Sequence, residues 1–298
     1  MSSSQKKKYT VLGIGELLWD VFPGGRKMGG APANFIYFVH VLGEKGILAT
    51  RVGADGEGEE LQGAFSRKGA DTAYIQSDTD HPTGWVDIEL NEWGAPSYVI
   101  HENVAWDFIT PDQNLIQCAE YADAVYFGTL CQRSKVSRVT IRRCAEAVSK
   151  KALCVCDLNL RQDYWDEDSI EWSFQTADVV KLNDEEIRTV GSQLSISGDE
   201  QSLGSTLVDM FSLRVLALTR GSEGSILFTP DGLYEHPGYP VDIRDTVGAG
   251  DAFGAVLTVG LLRDMDIDDI NDQANRIASF VCSQDGAVPD VPEELRVL

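Results

Sequence analysis

The run Asp245-Thr246-Val247-Gly248-Ala249-Gly250-Asp251 leads directly into Ala252 to Leu262, an uncharged stretch carrying Phe253, Val256, Leu257 and Leu261 at helical spacing. Small residues at a helix N-terminus let successive backbone N–H groups converge on one anion, and the helix dipole adds to the attraction. Asp251 falls in the first turn, where a carboxylate repels any phosphate held there. Its presence needs a chemical reason, and general-base work on an incoming hydroxyl supplies one. The better-known phosphate motifs are absent. Gly13 and Gly15 follow a strand, but Leu18 replaces the third glycine of a dinucleotide fingerprint, which argues against a dehydrogenase. Gly53 to Gly58 has P-loop glycine spacing, yet Glu59 stands where the lysine belongs. A second polar group, Asp157-Leu158-Asn159-Leu160-Arg161, closes a strand, the end at which open α/β sheets bind ligands. Arg161 there meets substrate polar groups, a phosphate, or a structural carboxylate.

These groups need a scaffold of alternating strands and helices. Strands are expected at Tyr9 to Gly15, Gly46 to Val52, Ala122 to Phe127, Leu153 to Asp157, Asp178 to Leu182 and Arg214 to Thr219. Helices are expected at Pro32 to Leu42, Leu61 to Lys68 and Ser134 to Lys150, and the pattern implies a mostly parallel sheet covered on both faces. Two pieces break the alternation. Thr83 to Asn91 places Val86, Ile88 and Leu90 on one side and Asp87 and Glu89 on the other. After a turn at Gly94 and Pro96, Ser97 to His101 completes an antiparallel hairpin. With Leu17 to Gly25 it would form a small sheet, either a lid over a site or an extra edge. The acidic string Asp264, Asp266, Asp268, Asp269 and Asp272 reads as the solvated start of a helix whose apolar face is Ile267, Ile270, Ala274, Ile277, Ala278 and Val281.

Composition narrows the partners. In 298 residues, 25 Lys and Arg face 47 Asp and Glu, a formal charge of −22, which excludes a nucleic-acid binder working by phosphate neutralisation and disfavours an anionic membrane surface. Hydrophobic residues make up 43% of the chain, too many for a disordered one. Ala252 to Leu262 is too short to span a bilayer. The start, Met1 to Lys8 followed by an apolar run broken at Glu16, reads as a short tail entering a first strand and not as a signal peptide. Six cysteines without a C-x-x-C pair suggest reduced thiols and a cytoplasmic protein, with Cys154 and Cys156 filling the core from one strand face.

Together these segments resemble the ribokinase-like, PfkB-type carbohydrate kinases over roughly residues 9 to 292. Asp245 to Asp251 is similar to that family's C-terminal signature, and Gly29-Gly30-Ala31-Pro32-Ala33-Asn34 followed by Gly43 to its N-terminal one. Gly15-Glu16 with Asp20, Asn183 to Glu186, and Thr219-Arg220-Gly221-Ser222-Glu223-Gly224 match in the same order. Ala255-Val256 departs from a pair of small residues. The resemblance implies one ribokinase-like α/β domain over 1–298, a three-layer sandwich around a mostly parallel sheet, with a small β-sheet lid at about 17–30 and 83–108.

It also implies roles. Asp251 would be the base for a sugar hydroxyl, and Gly248, Ala249 and Gly250 the anion hole. Asp20, Gly29, Gly30, Asn34, Asn159 and Arg161 would face the sugar. Asn183, Thr219, Gly221, Gly224 and Asn275 would face ATP. Glu186 would hold magnesium through water, and Asp245, Val247 and Gly286 occupy the positions of a potassium site. Asp-x-Asn-x-Arg with Trp165 beyond it is similar to the fructokinase and 2-keto-3-deoxygluconate kinase branches more than to ribokinase, and Glu102 to Asp107 is similar to the fructokinase pattern, with Trp85, Tyr98 and Ile100 closing over the sugar. The implied reaction is ATP-dependent phosphorylation of D-fructose to fructose 6-phosphate. The alternatives are 2-keto-3-deoxygluconate, then ribose or a nucleoside, and, in another class, a sensor that has lost catalysis. An apolar lid face suggests a homodimer with paired lids, or packing on its own domain.

Overall fold

Strands with all residues but one buried, or all of them, must be covered on both faces, and several here meet that description. The strands are β1 (Thr10–Ile14), β2 (Leu18–Phe22), β3 (Gly25–Gly29), β4 (Lys45–Gly53), β5 (Ile75–Asp78), β6 (Trp85–Leu90), β7 (Pro96–Ile100), β8 (Ala124–Gly128), β9 (Leu153–Asp157), β10 (Val179–Asn183), β11 (Val215–Thr219), β12 (Ser225–Thr229) and β13 (Gly232–His236). The helices are α1 (Ala31–Val41), α2 (Gly56–Arg67), α3 (Gln113–Tyr121), α4 (Lys135–Ala147), α5 (Glu167–Thr176), α6 (Asp184–Gln193), α7 (Glu200–Phe211), α8 (Ala249–Leu262) and α9 (Ile267–Cys282). This computed structural model describes residues 8–90 and 96–296, so the expected turn at Gly94 lies outside the described residues.

Nine strands form one sheet in the order β13-β12-β11-β10-β9-β8-β1-β4-β5, parallel from β11 to β5 and antiparallel at the β11–β12–β13 end. Alternate residues of the parallel strands feed two cores. Along β9, Leu153 and Val155 face one, with α1, α8 and α9, while Cys154 and Cys156 face the other, with residues of α3 to α7. Burial holds both thiols above their usual range, as expected of core filler.

The second sheet, β3-β2-β6-β7, is the expected hairpin joined to the segment after β1. Val86, Ile88 and Ile100 are buried beneath it. The carboxyl ends of β8 and β9 stand level, because Gly128 pairs with Asp157, and those of β10 and β11 stand level, because Asn183 pairs with Thr219; Asp157 pairs with Lys181, so the second pair reaches two residues further along the same rim. That shared rim opens toward the small sheet. Among the described residues, no helix is long and apolar enough to cross a membrane.

Candidate active site

α8 begins at Gly248, whose φ of 83° puts it in the left-handed region and whose absent side chain makes room for Ala287, since a Cβ would lie 2.2 Å from the Ala287 carbonyl oxygen. The first-turn amides of a helix have no intrahelical acceptors, and of these the Ala249 amide donates to the Thr246 carbonyl at 3.4 Å. Asp251 is buried in that first turn and accepts a hydrogen bond from Asn34 Nδ2 at 2.9 Å. Burial pushes its carboxyl up to about 6; Asp157 adds to the rise, while Asn34, Lys181 and Arg161 oppose it. An acid with that affinity is mostly ionised at neutral pH and holds a proton better than an exposed aspartate, as a proton acceptor should.

A cavity of about 590 Å³ lies between this helix end and the small sheet. Asp20, Gly30, Asn34, Asn159, Arg161, Val247, Gly248, Gly250 and Asp251 line it, which brings the expected sugar positions together with Gly248 and Gly250 of the expected anion hole, while Ala249 does not line it. Gly29 stands just behind, against Asp20. Burial pushes the Asp20 carboxyl up to about 7, with Asp245 and Asp251 adding to the rise. Asn34 Oδ1 and Glu16 Oε1 are buried acceptors without a protein partner, and both residues line the cavity, as substrate hydroxyl binders would. Glu16 is held at about 7 by burial.

Of the three residues expected to close over the sugar, Tyr98 and Ile100 line the cavity, whereas Trp85 does not and stacks on His101 with ring centroids 4.1 Å apart. Gln162 Nε2 donates to the Tyr98 carbonyl at 2.7 Å and ties the lid to the loop after β9. Glu102 to Asp107 does not face the cavity. Trp106 is core, covered by the Arg133 guanidinium, and Asp107 is consumed by a buried pair with Arg133 at 2.8 Å. Glu102, Asn103 and Asp107 instead border a separate surface hollow.

The expected nucleotide residues lie along the β10–β11 rim. Asn183 caps α6, accepting from the Glu185 and Glu186 amides, and Glu186 returns a capping bond to the Asn183 amide at 2.8 Å. Thr219, Gly221 and Gly224 form the turn from β11 to β12; a Cβ on Gly224 would lie 2.0 Å from the His236 carbonyl oxygen. Asn275 does not open onto the cavity. Its amide donates to Ser225 Oγ at 2.7 Å and to Asn271, so it braces that turn from behind.

Metal binding was tested on the donors. Among the described residues, no three His, Cys, Asp or Glu side chains converge to hold a metal directly. Glu186 accepts one amide on each oxygen, from Leu160 and Asn183, and keeps lone pairs for water; burial raises its carboxyl. That arrangement fits a hydrated magnesium carried on nucleotide phosphates. Asp245 accepts the Val247 and Gly286 amides at 3.0 and 3.1 Å, with Lys27 Nζ at 3.6 Å. The loop carries one carboxylate for a large, weakly hydrated cation, and Lys27 competes for it.

Two residues carry no role in the sequence reading. Glu16 belongs to the matching Gly15-Glu16 segment, but a charge after a strand normally reads as a turn and nothing local shows its burial. Lys181 carries a visible signal, a lysine inside the apolar run Val179-Val180-Lys181-Leu182, but its partner Asp157 follows only from strand register. Lys181 donates to both Asp157 oxygens, at 3.0 and 2.8 Å. Burial alone would depress its pKa, but Asp157, Glu186 and Asp251 together outweigh that and raise it.

Comparison with known proteins gives a consistent picture. Residues 15–294 match the model described as pfkB family carbohydrate kinase. An uncharacterized sugar kinase of Pyrococcus horikoshii is 33% identical over 267 residues, 87% of this chain and 82% of its own. Its crystal structure in complex with ATP superposes with a TM-score of 0.81 at 30% identity, covering 93% of this chain and 94% of that one. A fructokinase of Escherichia coli is 27% identical over 94% of this chain and 95% of its own.

Proposed function

The chain belongs to the pfkB family of carbohydrate kinases, and from that premise we propose that it transfers the γ-phosphoryl group of ATP to a hydroxymethyl group of a neutral ketose, D-fructose foremost. The observation that carries this reading is the 2.9 Å bond from Asn34 to Asp251, which joins a hydroxyl-binding amide to a carboxylate at the helix end suited to a phosphoryl group. Asp20, Asn34 and Glu16 hold the sugar hydroxyls, Asp251 accepts the proton of the attacking one, and the Gly248 to Gly250 amides meet the developing phosphoryl charge. Because the phosphoryl transition state is loose, an acceptor as weak as a carboxylate suffices when the proton leaves late. Magnesium supplies phosphate charge neutralisation when bound with the nucleotide, and Glu186 orients its water.

A neutral sugar is favoured by the walls. Glu16, Asp20, Asp157 and Asp251 all line the cavity, and of its two cations Lys181 is already paired. The ATP complex of the Pyrococcus protein supports ATP as the donor, and the Escherichia coli relative supports fructose. A sugar acid is the second reading, carried by exposed Arg161, whose guanidinium donates to the carbonyl of its neighbour Leu160 and makes no ion pair among the described residues. Dependence on ATP supports the cytoplasm as its compartment. The exposed Tyr98 and Val99 on edge strand β7 support a homodimer joined through the lid.

ADP release measured with magnesium and ATP over fructose, ribose, 2-keto-3-deoxygluconate and adenosine tests the assignment. Fructose is expected to give the highest kcat/KM. Preference for the keto acid selects the second reading, and no turnover on any of the four contradicts the kinase reading in favour of a sensor.

A further inference from the structure

Lys181 is a buried cation placed where electrostatics opposes it. Its stem runs beneath the first turns of α8: a Cβ on Gly254 would lie 3.6 Å from its Cδ, and one on Gly250 would lie 3.1 Å from its Nζ. Two glycines four residues apart share one helix face; the missing side chain of Gly250 gives the ammonium its room, and the stem passes Gly254 at ordinary contact distance. The ammonium therefore ends at the positive pole of a helix, a site that favours anions. Asp157, steadied by the Tyr126 hydroxyl at 3.3 Å, offsets part of that cost by accepting two of the three ammonium protons. One proton is left for the cavity that Lys181 lines together with Gly250 and Asp251. A buried ion pair could be replaced by apolar residues at no loss of stability, so stability alone does not account for it.

We propose that Lys181 is a catalytic residue, donating its remaining ammonium proton as a hydrogen bond to the phosphoryl group in transit. The inference rests on the reading of Asp251 as base. In the step it serves, the sugar oxygen forms a bond to the γ-phosphorus and its proton passes to the Asp251 carboxylate. The bond from the γ-phosphorus to the bridging oxygen breaks, and its electron pair leaves with ADP. Lys181 keeps its proton throughout and stabilises charge on the equatorial oxygens, alongside the Gly250 amide.

The test separates this role from mere neutralisation of Asp157. Lys181→Met is expected to lower kcat by about 100-fold or more. In Asp157→Asn/Lys181→Met the pair is removed as a unit, so thermal stability is expected to return to near wild type while kcat stays as low. ADP affinity should change less than about 3-fold, and the extra affinity for ADP given by fluoroaluminate and sugar should disappear. Recovery of the double variant to within about 10-fold of wild-type kcat would overturn the proposal. If neither variant folds, the ¹⁵N signal of the Lys181 ammonium in labelled wild-type enzyme decides: it is expected to shift when ADP, fluoroaluminate and sugar bind, and an unchanged signal refutes the contact. Asp251→Asn is the control. Full activity in it would defeat the base assignment whatever Lys181 does, whereas low activity with the fluoroaluminate response intact isolates the lysine.

Discussion

A Cβ on Gly29 would lie 2.1 Å from Asp20 Oδ2, so the Asp20 carboxylate stands in the space that a side chain on the facing strand would fill. β2 and β3 pair so that Leu18 faces Gly29, and Asp20 leans across the pair into the cavity. Gly29→Ala should displace the carboxylate without touching the α8 end. Steady-state kinetics are expected to show KM for the sugar raised about 10-fold or more, with KM for ATP nearly unchanged. An equal rise in both would point to general disruption.

The pH–rate profile follows from Asp251. Because burial places its carboxyl at about 6, kcat/KM is expected to fall about tenfold per pH unit below 6 and to level off above it. The direction is fixed by chemistry: protonation at low pH removes the acceptor. A profile flat down to pH 5 would exclude Asp251 as the titrating base.

Much of this site could be read from the chain before its geometry was known. The Asp245 to Asp251 run, the Gly29 to Asn34 run and the strand Leu153–Asp157 depend on local signals: glycines at a helix start, a proline early in a helix, and apolar residues bounded by a polar end. The β12–β13 hairpin has a turn signal in Pro230-Asp231-Gly232. The start of α6 is ambiguous in the sequence, because the spacing of Asn183 and Glu186 describes a capping box as well as a pair of ligands. What stayed hidden depends on register and distance along the chain. Lys181 meets Asp157 through a parallel pairing, and Trp106 is removed from the sugar by its packing under Arg133.

Glu16 predicts an unusual stability profile. Its carboxyl is raised from 4.5 to about 7 by burial, so the folded state favours the proton. That stability is fully present below about 4.5 and is lost as pH rises through about 7, a loss of about 3 kcal/mol at most. Glu16→Gln, which cannot ionise, is therefore expected to melt above wild type by about 4 °C or more at pH 8, and by less at pH 5. A difference independent of pH would show that Glu16 ionises freely when folded.

Potassium is expected to act modestly. Asp245 organises the turn before Gly248 through the Val247 and Gly286 amides, and Lys27 already lies 3.6 Å from it. Replacing tetramethylammonium by potassium should raise kcat by about 2- to 5-fold, near 1 kcal/mol or less as for half-exposed ion pairs. Lys27→Met should widen the ratio. Identical rates in both salts for wild type and variant would remove the cation from the account.

The central claim is that Asp251 accepts the proton of a sugar hydroxyl at the α8 end. Its most direct measurement is turnover of Asp251→Asn on the best sugar, read by ADP release, with nucleotide binding followed by calorimetry on the same preparation. The account predicts kcat lowered by about 10²- to 10⁴-fold with ATP affinity retained. Turnover within a few-fold of wild type, with the fold intact, would contradict it.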